Sequence, residues 1–311
     1  MSGWNTYPGT PSSEASEDDS FFGPKGLPPS MMRQQIRQLL ATIGREYLHA
    51  FLRAVHGSLE TKIPWPRGVL LQALAWQLQQ GWAAQGARTL IRMPATPLRA
   101  LTALSILPAW AGFDGESTAR TLCVARTKTL AAAHRRLAVR ALSTPLLRWS
   151  LEERRNGQLM MSPTSKIPRV PTPAALMGNT VWAARGDTAV KGAFDQIILV
   201  EPFPPEPTVA DLKALLAWLK PLAGPKKAPA SITIVADLLM NSPLIGALAD
   251  QGFAHIDIPL RAFIPTTLSL APSVTRTFKQ GECLAPDHPS RYDLMRAREV
   301  HGPVNLETLW T

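Results

Sequence analysis

The residues with the clearest chemical pattern lie between positions 88 and 142. There a short apolar strand, a proline-containing loop, an apolar helix, a second strand and an amphipathic helix follow one another. This order and spacing are those of a phosphate-binding loop (P-loop) in a βαβ unit. Where such a loop carries Gly-Lys-Ser, the sequence has Leu98-Arg99-Ala100. The pattern therefore predicts the fold of a phosphoryl-transfer site without its usual chemistry.

Each replacement in this loop removes a specific interaction with a nucleotide. Pro97 lacks the N–H that a phosphate cradle uses, and Leu98 places a Cβ where glycine adopts positive φ without strain. Ala100 has no hydroxyl for Mg²⁺. Arg99 keeps the charge of lysine, but its planar fork does not replace a compact ammonium. We interpret Arg99 either as a residual phosphate contact or as a solvent-exposed arginine at a helix start, and we favour the exposed arginine.

Several further stretches share the pattern of one known family. They are TLIRMPATPLRA, ILPAWAG, TLCVART, LAAAHRRLAVR, STPLLRW, FDQIILVEPFPPEPTVADLKALLAWL, ITIVADLLMNSPLIGALADQGFAHIDIPL and GECLAPDHPSRYDLMRAREVHGPVNLETLW. In this order, from about residue 45 onwards, they resemble the ATPase domain of the large terminase subunits of tailed phages. The RNase H-like nuclease domain that follows in that family has no counterpart here, so we expect no DNA cleavage.

The resemblance also assigns the remaining motor positions. The family's Mg²⁺-binding aspartate falls on Val200, and its water-activating acid falls on Glu201. A Gln-Arg pair of the family falls on Asp237-Leu238. The histidine and paired acids that follow it correspond to Met240, Ser242 and Pro243. Glu201 is thus a vestigial catalytic candidate, or a strand-end glutamate that is solvated or paired with a nearby arginine. Losses in three separate motifs predict a pseudo-ATPase.

The charge distribution favours a polyanionic partner. The formal net charge is +10, and the first twenty residues hold four acids and no Lys or Arg, so the rest of the chain carries +14. The densest basic segment also includes His134. Within it we predict contacts with the backbone of duplex DNA from Arg126, Lys128, Arg135, Arg136, Arg140 and Arg148. An ordinary solvated helix face is the alternative.

Other ligands are not indicated by the sequence. The histidines and cysteines show no metal-ligand spacing, so we expect no metal and no cofactor. ATP with Mg²⁺ would be the ligand if the altered loop were functional. No apolar run is long enough for a membrane span. The resemblance implies partners among packaging proteins (portal, small terminase or a true large terminase), a bacterial cytoplasmic or particle-associated location, and leaves an oligomer open.

The predicted elements form an α/β fold, a P-loop NTPase-like parallel sheet flanked by helices. We expect a disordered acidic tail over 1–30, a helical lead-in over 31–87 and the α/β domain over 88–311. The predicted strands cover 89–93, 121–125, 179–183, 196–201 and 232–236. The predicted helices cover 31–59, 68–82, 99–108, 127–142, 208–220 and 243–251.

Our leading hypothesis is a degenerate terminase-like protein of a phage, prophage or gene-transfer particle. It would act in DNA packaging or particle assembly by binding DNA or packaging partners, without ATP hydrolysis. Two alternatives remain open. One is an active ATPase with an unconventional site that uses Arg99 and Glu201, and the other is a structural component of a particle.

Overall fold

The computed structural model describes the chain from residue 29 to residue 284, with internal gaps. The described residues are 29–57, 59, 65, 68–94, 96–114, 118–161, 170–204, 207–224, 229–237, 240, 242–262 and 264–284. Apart from its last two positions, the predicted acidic tail lies outside the described residues.

The strands form a six-stranded sheet and a separate two-stranded hairpin. The sheet strands are β1 (Arg88–Arg92), β2 (Thr121–Ala125), β3 (Thr180–Ala184), β4 (Gln196–Val200), β5 (Ser231–Ala236) and β6 (Ala254–Asp257). Their order is β3-β2-β4-β5-β1-β6, and every neighbouring pair is parallel. The antiparallel hairpin consists of β7 (Thr266–Ala271) and β8 (Val274–Phe278). The prediction of an α/β fold built on a parallel sheet is confirmed.

Helices precede the sheet and connect its strands. They are α1 (Pro29–Glu46), α2 (Leu48–His56), α3 (Leu70–Ala83), α4 (Pro97–Leu101), α5 (Leu107–Asp114), α6 (Lys128–Leu142), α7 (Pro145–Met161), α8 (Pro173–Leu176), α9 (Val209–Leu219) and α10 (Ser242–Ala249). A π-helical turn, Thr102–Ile106, joins α4 to α5. In the described part of the chain, no helix has the length and apolarity needed to cross a membrane.

The sheet is covered by helices on both faces, which explains its apolar strands. Every residue of β2 and of β5 is buried. In β1, Ile91 belongs to a core shared with α2 to α6, whereas its neighbour Leu90 belongs to a second core shared with α9 and α10. Phe51 and Leu74 of the predicted lead-in lie in the same core as Ile91. The early helices and the sheet therefore bury their apolar side chains together.

The helix predicted over 31–59 is broken at Tyr47, and the prediction of one continuous helix was wrong. Tyr47 is extended, with φ −128° and ψ 115°. The side chain of Gln79 supplies the hydrogen bonds that the break leaves open. Its Oε1 accepts from the N–H of Leu48 at 3.0 Å, and its Nε2 donates to the carbonyl of Glu46 at 2.7 Å. A side chain from α3 thus holds the bend, which periodicity within 31–59 does not reveal.

Other elements differ from prediction for comparable reasons. The helix expected over 99–108 begins at Pro97 and runs on through the π-helical turn to Asp114. Within that turn the carbonyl of Leu104 accepts from Trp182 Nε1 at 2.7 Å. The sequence also did not predict β6, β7, β8, α7 or α8. The residues of β6 are exposed or half-buried, so their sequence lacks the apolar run that marks the central strands.

Candidate functional site

Arg99 of the altered loop and the acids Glu201 and Asp237 of the next two assigned motifs meet at one edge of the sheet. β1, β5 and β4 lie side by side and run in the same direction. Their carboxyl ends therefore share an edge, where open α/β sheets bind their ligands. Arg99 follows β1, Glu201 follows β4 and Asp237 follows β5. We call this set, with the loop that leads to Arg99, the carboxyl-edge cluster.

Arg99 lies at the centre of this cluster and is only 2% exposed. Its Nη1 donates to the carbonyl of Met93 at 2.8 Å and to that of Ala236 at 3.1 Å. Its Nη2 forms an ion pair with Glu201, and Asp237 Oδ2 lies 4.0 Å from Nη1. Burial lowers the pKa of Arg99, and the charge of Asp237 opposes that shift. The expectation of a solvent-exposed Arg99 was wrong, because two strand-end carbonyls and Glu201 accept its hydrogen bonds inside the protein.

The amino end of α4 is likewise satisfied from within the chain. Thr96 is its N-cap, and its side chain accepts from the N–H of Leu98 at 3.4 Å. The carbonyl of Thr96 accepts from the N–H of Arg99 at 3.0 Å. Pro97 occupies the first helical position, where a missing N–H has no cost. The N–H groups of Leu98 and Arg99 are therefore used within the capped turn, and Pro97 has none to offer to a phosphate.

Leu98 and Val200 serve packing at positions where the family resemblance expects nucleotide chemistry. Leu98 is helical and buried in the core, so the backbone strain expected for a P-loop conformation at this residue does not arise. Val200 is buried at the end of β4. Thr102, the nearest hydroxyl further along, donates to the carbonyl of Leu98 at 2.7 Å. In the described residues, no group of three or more His, Cys, Asp and Glu side chains could hold a metal ion.

Glu201 has an unusual backbone as well as a charged partner. Its φ is 48°, in the left-handed region, which costs a non-glycine residue about 1–2 kcal/mol. Its N–H donates to the carbonyl of Val235 at 2.9 Å, and its carboxylate faces Arg99. The side chain remains 44% exposed. Pairing with a nearby arginine, one of the two interpretations drawn from the sequence, is what the structure contains.

The residues that the resemblance assigns to a third motif lie beside this cluster and at the start of α10. Asp237 faces Arg99, and Leu238 lies outside the described residues. Met240 is buried, and its carbonyl accepts from Arg92 Nη1 at 3.3 Å. Ser242 and Pro243 begin α10.

Two further arginines form hydrogen bonds at the same edge of the sheet, and sequence reasoning did not single them out. Arg92, at the end of β1, binds both carboxylate oxygens of Asp257 at 2.7 and 2.6 Å. Burial raises the pKa of Asp257, but the hydrogen bonds and charge of Arg92, with His255, outweigh it and lower the pKa overall. Arg185, after β3, donates to the carbonyl of Pro202 at 2.7 Å. Sequence reasoning missed Arg92 because its partner Asp257 lies on β6, a strand that was not predicted.

The six residues predicted to contact DNA are all exposed. Lys128, Arg135, Arg136 and Arg140 lie on α6, Arg126 precedes it and Arg148 lies on α7. The four residues on α6 fall within one arc of the helix, and α6 has no acidic residue. We call these four the basic face. Lys128 Nζ lies 3.3 Å from Asp187 Oδ2, so one end of this face is partly neutralised.

His134 does not belong to the basic face, although it is part of the same basic segment in the sequence. It is buried, and its Nδ1 lies 2.8 Å from Ser105 Oγ of the π-helical turn. Burial lowers the pKa of His134. The residue packs α6 against the turn and is not available to a ligand on the helix surface.

A comparison with protein families finds none that matches the chain, and a comparison with curated proteins finds no matching relative.

Proposed function

We propose that this protein is a terminase-like α/β scaffold that binds duplex DNA or packaging partners and does not hydrolyse ATP. The observation that carries the proposal is the burial of Arg99. In a P-loop the residue at this position reaches the phosphates, whereas Arg99 turns inward to two strand-end carbonyls and to Glu201. A guanidinium held in this way is engaged by acceptors of the chain itself and is not available to the phosphates of a nucleotide.

The environment of Glu201 supports the same proposal. A water-activating acid needs a metal-bound nucleotide beside it and a carboxylate free to accept a proton. Val200 replaces the metal ligand expected beside it, and the carboxylate of Glu201 is engaged by Arg99. An ATPase that used Arg99 and Glu201 would have to break their ion pair before either residue could act. This requirement argues against the alternative of an unconventional active site.

The basic face supplies the binding part of the proposal. Its cationic side chains stand on one exposed arc of a helix, with Arg126 and Arg148 exposed nearby. Side chains of this kind bind phosphates through charge, independently of base sequence, and release counterions as they bind. The proposed ligand is therefore the backbone of duplex DNA. Portal protein, small terminase or a true large terminase would be the protein partners in a phage, prophage or gene-transfer particle.

Nucleotide binding and turnover test the first part of the proposal. Calorimetric titration of Mg²⁺-ATP into the full chain should give no binding heat, and steady-state assays should give no phosphate release. The comparison variant carries Arg99→Lys and Ala100→Ser, which replace the fork by an ammonium and restore a hydroxyl for Mg²⁺. Circular dichroism establishes that it is folded. Turnover by the natural protein that disappears with Glu201→Gln would contradict the proposal and support the unconventional ATPase.

Binding to labelled duplex DNA tests the second part. The full chain should bind a duplex of arbitrary sequence, and the affinity should fall steeply with added salt. Equal affinity for two unrelated duplexes is part of the expected result. Failure to bind DNA at about 50 mM salt, where backbone contacts are strong, would overturn the DNA-binding part and leave protein partners to be tested.

A further inference from the structure

An apolar groove lies where the helices before the sheet meet the hairpin. Its lining includes Ile43 and Tyr47, Gln72 and Trp76 of α3, and Leu270 of β7. Its volume is about 220 Å³. Small-molecule sites begin at roughly 300 Å³. The groove therefore suits a few side chains of a polypeptide better than it suits a cofactor.

The apolar surface continues from this groove along α1. Leu39 is 59% exposed and Leu40 is 47% exposed. Their spacing of four and three residues from Ile43 places them on the same face of α1 as Ile43, which lines the groove. Adjoining exposed apolar side chains are typical of contact surfaces. The groove and this face of α1 together offer a continuous strip for a polypeptide segment.

Leu284 lies beside the start of α3, the helix that carries Gln72 and Trp76 of the groove. Leu284 is buried, its N–H donates to the carbonyl of Leu260 at 2.9 Å, and its carbonyl accepts from the N–H of Val69 at 3.0 Å. Val69 immediately precedes α3. Gln72 follows within one helical turn, and Trp76 comes one turn later on the same face. Leu284 is therefore held within about two helical turns of Gln72 and Trp76.

We propose that residues 285–311 dock in this groove and that Tyr292, Leu294 and Met295 are the side chains that fill it. The distance along α3 from Val69 to Trp76 is about 10 Å. The eight residues from Leu284 to Tyr292 can span about 26 Å when extended, so the segment reaches Trp76 with length to spare. The proposal is independent of the function proposed above, because it needs neither DNA nor a nucleotide.

Two other occupants would give a different result in the same experiment. Residues 1–28 precede α1 and contain the apolar pair Phe21 and Phe22. A second copy of the chain could also cover the exposed face of α1. The position of Leu284 favours residues 285–311, because backbone hydrogen bonds fix this residue beside α3 and residues 285–311 follow it directly in the sequence.

Site-specific photo-crosslinking in the full chain tests the proposal. The photoreactive residue p-benzoylphenylalanine replaces Gln72 in the groove and, as a matched control, replaces the exposed Ala214 of α9. After irradiation, mass spectrometry identifies the peptide joined to the probe. We expect intramolecular products between position 72 and residues 285–311, and none between position 214 and that segment. Products with residues 1–28, products of twice the chain mass, or no peptide product at position 72 would each overturn the proposal.

A second variant distinguishes apolar docking from mere proximity to Leu284. Leu294→Ser combined with Met295→Ser should lower the yield of the crosslink at position 72 at least fivefold. The neighbouring polar substitution Asp293→Ser should leave the yield within twofold of the natural chain. An unchanged yield in the Leu294 and Met295 variant would overturn the assignment of these side chains to the groove.

Discussion

The carboxyl-edge cluster and the basic face of α6 are both rich in arginine, yet their charges are used differently. At the edge, Arg92, Arg99 and Arg185 each bind a carboxylate or carbonyl of a neighbouring strand or loop. On α6, Arg135, Arg136 and Arg140 are exposed on a helix without acidic residues. The first set holds the carboxyl ends of the strands together, and the second set faces solvent.

This difference shows how the surroundings of an arginine decide whether its charge is available to a ligand. A charged residue at a sheet edge is stable when the protein supplies its hydrogen bonds, and then it no longer binds a ligand. A charged residue on an exposed helix stays hydrated and keeps its capacity to bind phosphate. Substitutions in the two regions should therefore affect different measurements. Four predictions follow this contrast, from the largest expected effect to the smallest.

Arg99→Ala should destabilise the protein by about 3 kcal/mol, because it removes the buried partner of Glu201 and the hydrogen bonds to the carbonyls of Met93 and Ala236. Denaturation with urea, followed by circular dichroism, measures the change in unfolding free energy. Arg148→Ala is the matched control, since this exposed arginine should change stability by no more than about 0.5 kcal/mol. Equal effects of the two substitutions would remove the contrast between buried and exposed arginines.

Gly112→Ala should destabilise the protein by about 2 kcal/mol through overpacking of α5 against α8. An added Cβ at Gly112 would lie 2.8 Å from the carbonyl oxygen of Leu176 and 2.3 Å from Met177 Cε. The substitution tests the packing of the helical segment that carries Arg99, because α5 continues that segment. At Gly246 in α10 a Cβ would meet no atom within 4 Å, so Gly246→Ala should be neutral or stabilising. Thermal unfolding distinguishes the two glycines, and similar losses at both would contradict the described packing.

Replacing Arg135, Arg136 and Arg140 together by Gln should weaken binding to duplex DNA by at least about tenfold near 0.1 M salt. The slope of log affinity against log salt should decrease in magnitude by about 3, one unit for each lost phosphate contact. Fluorescence anisotropy over a salt series measures both quantities. Lys213, Lys220 and Lys279 are exposed elsewhere, and their joint replacement by Gln is the control of equal charge. The same loss in both triple variants would mean that net charge, and not the basic face, controls binding.

Protonation of His134 should lower stability as the pH falls. Burial holds its pKa in the folded state below the ordinary value of 6.5, so the unfolded chain binds more protons below that pH. The unfolding free energy is therefore undiminished above pH 6.5 and decreases as the pH falls, until the pKa of the folded state is passed. The slope is at most about 1.4 kcal/mol per pH unit for one histidine.

Comparison of the natural protein with His134→Gln over pH 5 to 7.5 isolates this contribution. The variant should lose part of the pH slope below 6.5. His49→Gln is measured beside it to separate the contributions of the two histidines to the pH slope, because burial, with the charge of Arg53, lowers the pKa of His49 too. Identical pH profiles for His134→Gln and the natural protein would contradict the buried position of His134 against Ser105.

The sequence by itself determined the elements that carry strong local signals. The five predicted sheet strands are all present. The sequences of β2, β4 and β5 are mainly apolar, as is typical of strands covered on both faces. Thr127 before α6 and Thr208 before α9 cap their helices through side-chain hydrogen bonds, and such signals are local. The absence of Gly-Lys-Ser at positions 98–100 is likewise evident from residue types alone.

Only the tertiary structure decided where the charged side chains point. Arg99 lies next to Glu201 because β5 lies between β1 and β4, a pairing between distant parts of the chain. His134 and Arg135 are neighbours in the sequence, yet one is buried and the other exposed according to the face of α6 that packs on the π-helical turn. Local sequence specifies which residues can carry charge, whereas long-range packing decides which charges are satisfied inside the protein and which remain exposed.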